Sequence, residues 1–374
     1  MRPEPCELER FFEPWEFTIG HLLCASDVEP LRLKDLLALA DDSGFRMWEE
    51  LSLGYTETGG HPELRREIAR QYDTIEPHQV IVCGGGAAEA LFLVANSLLD
   101  REAHCVTVWP AYEALYKIPR AAGARVSLVG LDPATGWKLD PRLVEEAFQR
   151  DTRGLFVNFP HNPTGTTISR DTLEQLSLLT SEHSATLVSD EVYRDLEFNP
   201  SDRLPAAADL SPLAVSVGVM SKAFGLAGLR IGWIATRDSA LLSRIQQLKD
   251  YISVCASAPS EILALIALRA KSVILEETRQ LLSKNLAELD AFMSAWRDVI
   301  DWNRPLGGPI CFPRMIPSVD VERLVSELAT KESVLLLPGR IFDWDPRFFR
   351  IGFGRSDFAD ALDGLGRHLR RLPA

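Results

Sequence analysis

The sequence predicts an α/β fold: a large domain with a mostly parallel central sheet sandwiched by helices, plus a smaller α+β domain. Three observations lead there. At 374 residues the chain exceeds what one compact core accommodates and suits two domains. Between about residues 60 and 236 helix-period segments alternate with short, continuously apolar strands, the pattern of a parallel sheet covered on both faces. Beyond Asn303-Arg-Pro-Leu-Gly-Gly-Pro the alternation gives way to short strands and helices of mixed order. The expected boundaries are residues 50–265 for the large domain and 1–49 with 266–374 for the smaller one, which carries the N-terminal arm.

In chain order, His61–Asp73 is expected as a helix with Leu64, Ile68 and Tyr72 on one face. Gln79–Cys83 is a short apolar strand, and Ala87–Leu99 a helix behind a glycine run. A strand at His104–Val108, a helix over Ala111–Ala122 and a strand at Arg125–Val129 follow. Strands are expected at Gly154–Asn158, Thr186–Ser189, Leu213–Val217 and Ile231–Ala235, with helices such as Asp171–Glu182 between them. Long helical stretches run from Ser239 to about Trp296. The final unit comprises a strand Ile310–Met315, a helix Val319–Thr330, strands Ser333–Leu337 and Phe348–Gly352, and a helix Asp357–Leu372.

Composition narrows the function classes. A net charge of −13 argues against a nucleic-acid or anionic-membrane partner. No apolar run reaches membrane-spanning length. Six scattered cysteines without Cys-x-x-Cys spacing suit reduced, mostly buried thiols and a cytoplasmic protein. The histidines form no metal-ligand pattern, so no metal site is expected.

The most informative segment is Ser216 to Trp233, which sets Lys222 directly after Ser221 and eight residues before Arg230 in glycine-rich, apolar company. An ammonium is costly to keep charged there, so such a lysine has a lowered pKa and is nucleophilic at neutral pH. Nucleophilic lysines of this kind form Schiff bases, most often with pyridoxal phosphate (PLP), for whose phosphate Ser221 and Arg230 are natural ligands. A lysine that merely snorkels from a buried loop is the alternative.

Other motifs gather at strand ends. Cys83-Gly-Gly-Gly-Ala-Ala-Glu-Ala-Leu opens a helix with small residues, which suits a phosphate held by backbone N–H groups or simply a tight turn. Trp109-Pro-Ala-Tyr offers Tyr112 to stack on a flat ring, or as an ordinary core aromatic. Asn158-Phe-Pro-His-Asn-Pro-Thr-Gly forces an irregular turn that presents Asn162 at the same edge. Ser189-Asp-Glu-Val-Tyr brings Asp190 and Tyr193 there too. A carboxylate closing an apolar strand needs a cationic partner, such as a protonated pyridine nitrogen. Arg350, in an apolar strand with no obvious local acid, calls for a planar anion such as a substrate carboxylate, unless it forms a structural salt bridge.

Taken in this order, these segments resemble the class I/II aminotransferases of the aspartate-aminotransferase type, the fold-type-I PLP enzymes. The resemblance runs from Leu53-Gly-Tyr-Thr-Glu-Thr-Gly-Gly-His-Pro to Arg350. It implies pyridoxal 5′-phosphate as cofactor, with Lys222 as Schiff-base lysine and proton shuttle and Asp190 as partner of the pyridine nitrogen. Tyr193 and Asn162 would hold the ring's phenolate oxygen and Tyr112 would stack on its face. Gly86, Ala87 and Ala88 would offer amides to the phosphate, helped by Ser221 and Arg230. Tyr55 matches a residue that reaches the neighbouring subunit's phosphate, which implies a homodimer. Arg350 matches the clamp on the substrate α-carboxylate, with Asn162 and Ser26 also near the substrate. Val219 stands where many relatives have a serine, and the missing hydroxyl contact is an effect of about 1.5–3 kcal/mol if nothing compensates.

The implied function is an aminotransferase working on an L-amino acid and a 2-oxo acid. The arm departs from the pattern: Leu23-Cys-Ala-Ser-Asp-Val-Glu-Pro is similar to the corresponding region of the capreomycidine synthases, PLP enzymes of the same fold that cyclise a hydroxylated arginine. Elimination, replacement or cyclisation therefore stands beside transamination. A non-catalytic PLP-binding regulator would call for a DNA-binding helix pair or basic extension, which the sequence lacks. Asp27 and Glu29, if they face the pocket, favour a polar or cationic substrate side chain; if they face solvent, they decide nothing.

Overall fold

Seven strands build the central sheet of the computed structural model, which describes residues 3–316 and 319–371. They are β1 (Val80–Cys83), β2 (His104–Trp109), β3 (Arg125–Gly130), β4 (Thr152–Asn158), β5 (Thr186–Asp190), β6 (Val215–Val219) and β7 (Gly232–Thr236). Their spatial order is β1-β7-β6-β5-β4-β2-β3. β3, β2, β4, β5 and β6 pair in parallel, and β7 runs antiparallel to both β6 and β1.

The sheet is buried on both faces, as continuously apolar strands require. Along β1, Val80 and Val82 join one hydrophobic core and Ile81 and Cys83 the other. β4 divides in the same way, Leu155 and Val157 against Phe156. One core is closed by helices Ala87–Leu98 and Ser239–Lys249 through Leu91, Val94, Leu241 and Ile245. The other is closed by helices Pro62–Ala69, Arg170–Glu182 and Ala258–Arg269 through Leu64, Leu173, Ile262 and Leu265. Each such side chain contributes about 1.5–3 kcal/mol when fully buried.

Several elements differ from expectation for local reasons. The helix expected from His61 to Asp73 spans only Pro62–Ala69, because Tyr72 turns inward to accept a hydrogen bond from Trp233 Nε1 at 2.8 Å. The helix expected over Ala111–Ala122 is a 3-10 turn at Glu113–Leu115 followed by Lys117–Ala122. Pro119 has no N–H to offer the Leu115 carbonyl, which instead accepts from Thr107 Oγ1 at 3.0 Å. The last central strands lie one or two residues later than expected. The strand expected at Ile310–Met315 breaks at Pro313 into two pairs with different partners, one on the strand Phe349–Gly352 and one on Ile300–Asp301. Ser333–Leu337 is mostly irregular: Ser333 is left-handed, and only Leu337 pairs in a strand. The closing helix spans Phe358–Leu369, and the expected Leu372 terminus lies outside the described residues.

The smaller domain holds these short strands and the helices Val321–Glu332 and Phe358–Leu369. The arm is seated on it: Gly352 N–H donates to the Leu23 carbonyl at 2.9 Å, and Glu29 N–H to the Gly354 carbonyl at 2.8 Å. Gly352 permits this approach, since a Cβ there would stand 1.9 Å from the Ala25 carbonyl oxygen. Among the described residues no helix is long and apolar enough to cross a membrane.

Candidate active site

The register of the sheet lines up Asn158, Asp190 and Val217 across β4, β5 and β6. The loops leaving the carboxyl ends of these strands therefore open at one place, where open α/β sheets bind ligands. A cavity of about 280 Å³ lies there, near the lower end of small-molecule sites at about 300 Å³. It is lined by Ala87, Ala88, Tyr112, Asn162, Asp190, Tyr193, Ser221, Lys222, Arg230, Arg350 and Ser26. The structure thus brings together all but two of the expected site residues. Gly86 stands at its edge as N-cap of helix Ala87–Leu98. Tyr55 is 91% exposed and does not line its own chain's cavity.

Asp190 closes β5 at 3% exposure and accepts one backbone N–H, from Val192 at 3.3 Å. Burial pushes its carboxyl up to about 7, against the pull of the Val192 N–H and of Lys222. A buried, under-satisfied carboxyl of this kind fits a cationic ring nitrogen. Asn158 fixes the neighbouring loop, its Nδ2 donating to the Asp190 carbonyl and its Oδ1 accepting from Asn162 N–H, both at 2.8 Å.

Lys222 follows β6 and is half-buried; its Nζ donates to Ser26 Oγ at 2.8 Å. Burial lowers its pKa, with Arg350 and Arg230 adding to the effect and Asp27 and Asp190 opposing it. Tyr193 is buried and donates to the Ser26 carbonyl at 3.0 Å, so in this structure its hydroxyl is directed to the arm. Ser26 thus receives both groups.

Arg350 is 1% exposed. Its Nε and one terminal nitrogen donate to the Cys24 carbonyl at 3.0 and 2.8 Å, and the other terminal nitrogen to Asn162 Oδ1 at 3.1 Å. It forms no ion pair among the described residues, which removes the salt-bridge alternative. N–H groups remain for an anion in the cavity, and burial lowers its pKa. Asn162 Nδ2 is likewise left to donate.

At the other end Gly86 has φ 74° and ψ −154°, a region essentially reserved for glycine. A Cβ there would meet the Arg230 guanidinium at 3.1 Å. Arg230 donates to the Gly85 carbonyl at 2.8 Å and stands over the helix N-terminus with Ser221 nearby in the cavity wall. This cradle of small residues, helix N-terminus and guanidinium suits a phosphate. Val219 presents only methyl groups to it.

Sequence reasoning named Asp27 but missed its partner and part of the lining. Asp27 reaches the cavity, paired with Arg355 at 2.8 and 3.0 Å. Glu29 is exposed and accepts Ser356 N–H at 2.8 Å, so of the two readings left open for this pair Asp27 takes the pocket and Glu29 the solvent. Glu9 and Glu16 of the arm line the cavity instead. Burial, together with Glu9 and Asp27, raises the Glu16 carboxyl pKa. Nothing local in the sequence marks these residues, because only the tertiary path of the arm brings them to the site.

Comparison with known proteins gives relatives along the whole chain. Residues 49–360 match the family model described as aminotransferase class I and II. Capreomycidine synthase of Streptomyces vinaceus is 29% identical over 333 residues, 87% of this chain and 85% of that one. A PLP-dependent aminotransferase from Streptococcus suis superposes with a TM-score of 0.93 at 27% identity, covering 100% of both chains. The PLP-dependent cyclase OrfR superposes with a TM-score of 0.89 at 29% identity, over 99% of this chain and 98% of that one.

Proposed function

The chain belongs to the class I and II aminotransferase family, with the fold-type-I architecture and pyridoxal 5′-phosphate as cofactor, and from that premise we propose that it moves an amino group between an L-amino acid and a 2-oxo acid. The observation that carries the PLP chemistry is that Lys222 and Asp190 line one cavity; the family match supports transamination. Burial lowers the pKa of the lysine, which suits a nucleophilic amine, and raises that of the carboxyl, which a cationic ring nitrogen would offset.

When bound, PLP supplies the electron sink for charge developing at the substrate Cα. Lys222 Nζ, which donates to Ser26 Oγ, would hold the cofactor and carry the proton at Cα. Asp190 would hold the ring nitrogen protonated. Asn162 Nδ2 and Tyr193 would hold the ring's phenolate oxygen, and Tyr112 would stack on the ring. Ser221, Arg230 and the amides of Gly86, Ala87 and Ala88 would hold the phosphate. Arg350 binds the substrate carboxylate. The enzyme is read as cytoplasmic and as a homodimer in which Tyr55 completes the partner's site.

A second reading, elimination or cyclisation at the substrate side chain, is favoured by the similarity to capreomycidine synthase and OrfR and by the acid-rich arm over the cavity. Lys222 and Asp190 serve it equally, since both reactions begin at Cα. Product analysis of a single turnover separates the two. Transamination gives an oxo acid and pyridoxamine phosphate from each amino donor. Ammonia or a ring-closed product, with pyridoxal phosphate retained, selects the second reading.

A further inference from the structure

The N-terminal arm is strung between the two domains across the mouth of the cavity. Its far end is fixed to the smaller domain. Gly20 N–H donates to Ser333 Oγ at 2.8 Å, His21 N–H to the Ser333 carbonyl at 2.9 Å, and Leu335 N–H to the His21 carbonyl at 2.9 Å. Its near end, the short helix Glu7–Phe12, is tied to the large domain by hydrogen bonds that converge on one side chain, Glu113. That carboxylate is 3% exposed and accepts Leu8 N–H at 2.9 Å and Glu7 N–H at 3.3 Å. Cys6 Sγ lies 3.4 Å from it, as a thiol whose pKa burial pushes up to about 11, so it donates rather than repels. Lys117, four residues on at the start of the next helix, pairs with the same carboxylate. Leu8 at the near anchorage, and Glu9, Phe12 and Glu16 between the two, line the cavity.

We propose that Glu113 is a positioning residue, a latch on the large domain that holds the arm helix closed over the bound substrate. It follows Tyr112 directly, so the latch and the aromatic wall of the cavity move as one piece of backbone. Between the two ends Phe11, Phe12, Trp15 and Ile19 pack on the hydrophobic core while Glu13, Pro14, Phe17 and Thr18 are exposed; release at Glu113 therefore leaves the arm helix held by apolar contact alone and the smaller-domain anchorage intact. The inference rests on the reading that this cavity takes the amino acid.

Glu113→Ala and Glu113→Gln in the holoenzyme test it by hydrogen exchange and by kinetics. In Glu113→Ala the Glu7 and Leu8 amides lose at least tenfold protection. KM for the amino donor rises at least tenfold, while kcat and the cofactor's visible absorbance stay within twofold. Glu113→Gln keeps one acceptor oxygen and the side-chain volume, so it falls between; it carries the test if the alanine variant does not fold. Unchanged arm exchange overturns the proposal. So does faster exchange with unchanged KM, which makes Glu113 a support of the arm alone. If the enzyme proves not to transaminate, the donor Kd from absorbance titration replaces KM, and the exchange readout is independent of the reaction.

Discussion

Asp190 is the residue on which chemistry and stability meet. Its carboxyl titrates near the usual carboxylate range in the unfolded chain and at about 7 in the fold, because burial disfavours the charged form. The native state therefore binds a proton that the unfolded state releases. Stability from this group is full below about pH 4 and is lost as pH rises through about 7. In the cofactor-free protein the melting temperature should fall across that window, and Asp190→Asn should remove this component of the fall. PLP, by supplying the opposite charge, should stabilise the wild type more at pH 8 than at pH 5. The same variant should keep the cofactor but lose at least about 100-fold in turnover, measured with the donor identified by single-turnover analysis; near-normal turnover would make Asp190 a structural carboxylate. Residues such as Asp190, Lys222 and Asn162 were legible because short segments carry them at the ends of apolar strands. Arg355, Glu9, Glu16 and Glu113 were not, since their places depend on contacts more than 100 positions apart, as between Glu113 and Leu8 or Asp27 and Arg355.

Helix Ala87–Leu98 shows how one element serves both fold and site. Its inner face packs Leu91 and Val94 on the sheet, and its N-terminus opens on the cavity beneath Arg230. Gly86 makes that possible through a backbone conformation that costs a side-chain-bearing residue about 1–3 kcal/mol. Gly86→Ala should therefore weaken PLP binding by about 10- to 100-fold, read as the cofactor Kd by fluorescence quenching, with the far-UV circular dichroism unchanged. Wild-type affinity in this variant would remove the helix N-terminus from the phosphate site. The long, doubly buried elements were readable from sequence because both faces of a central strand must be apolar. The two-residue strands of the smaller domain were not, because a pair such as Ile310–Cys311 has no period to detect and Pro313 redirects the chain to a different partner.

At the scale of the whole molecule, two segments near Lys249 expose large apolar side chains that pack on nothing inside the chain. Leu53 and Tyr55 are 83% and 91% exposed, and Tyr251 is 93% exposed. Lys249 joins their two segments, its buried ammonium donating to the Thr58 carbonyl at 2.8 Å and the Val254 carbonyl at 3.0 Å. A lysine so committed stiffens a surface that carries large apolar side chains in water, an arrangement that suits contact with a second copy. Under the homodimer reading Tyr55 enters the partner's phosphate cradle, where Val219 leaves one hydroxyl contact unmade. Dimerisation and cofactor retention are then one equilibrium. Dilution that lowers the dimer fraction in sedimentation velocity should release PLP in parallel, and added PLP should shift the chain back to dimer. Tyr55→Phe removes only the hydroxyl and should raise the cofactor Kd by about tenfold, the worth of one hydrogen bond to a charged group, while the dimer persists. Tyr251→Asp charges the same face away from the site and should weaken both association and PLP retention. A monomer that keeps its cofactor and full turnover would leave Tyr55 as an exposed aromatic with no part in the site.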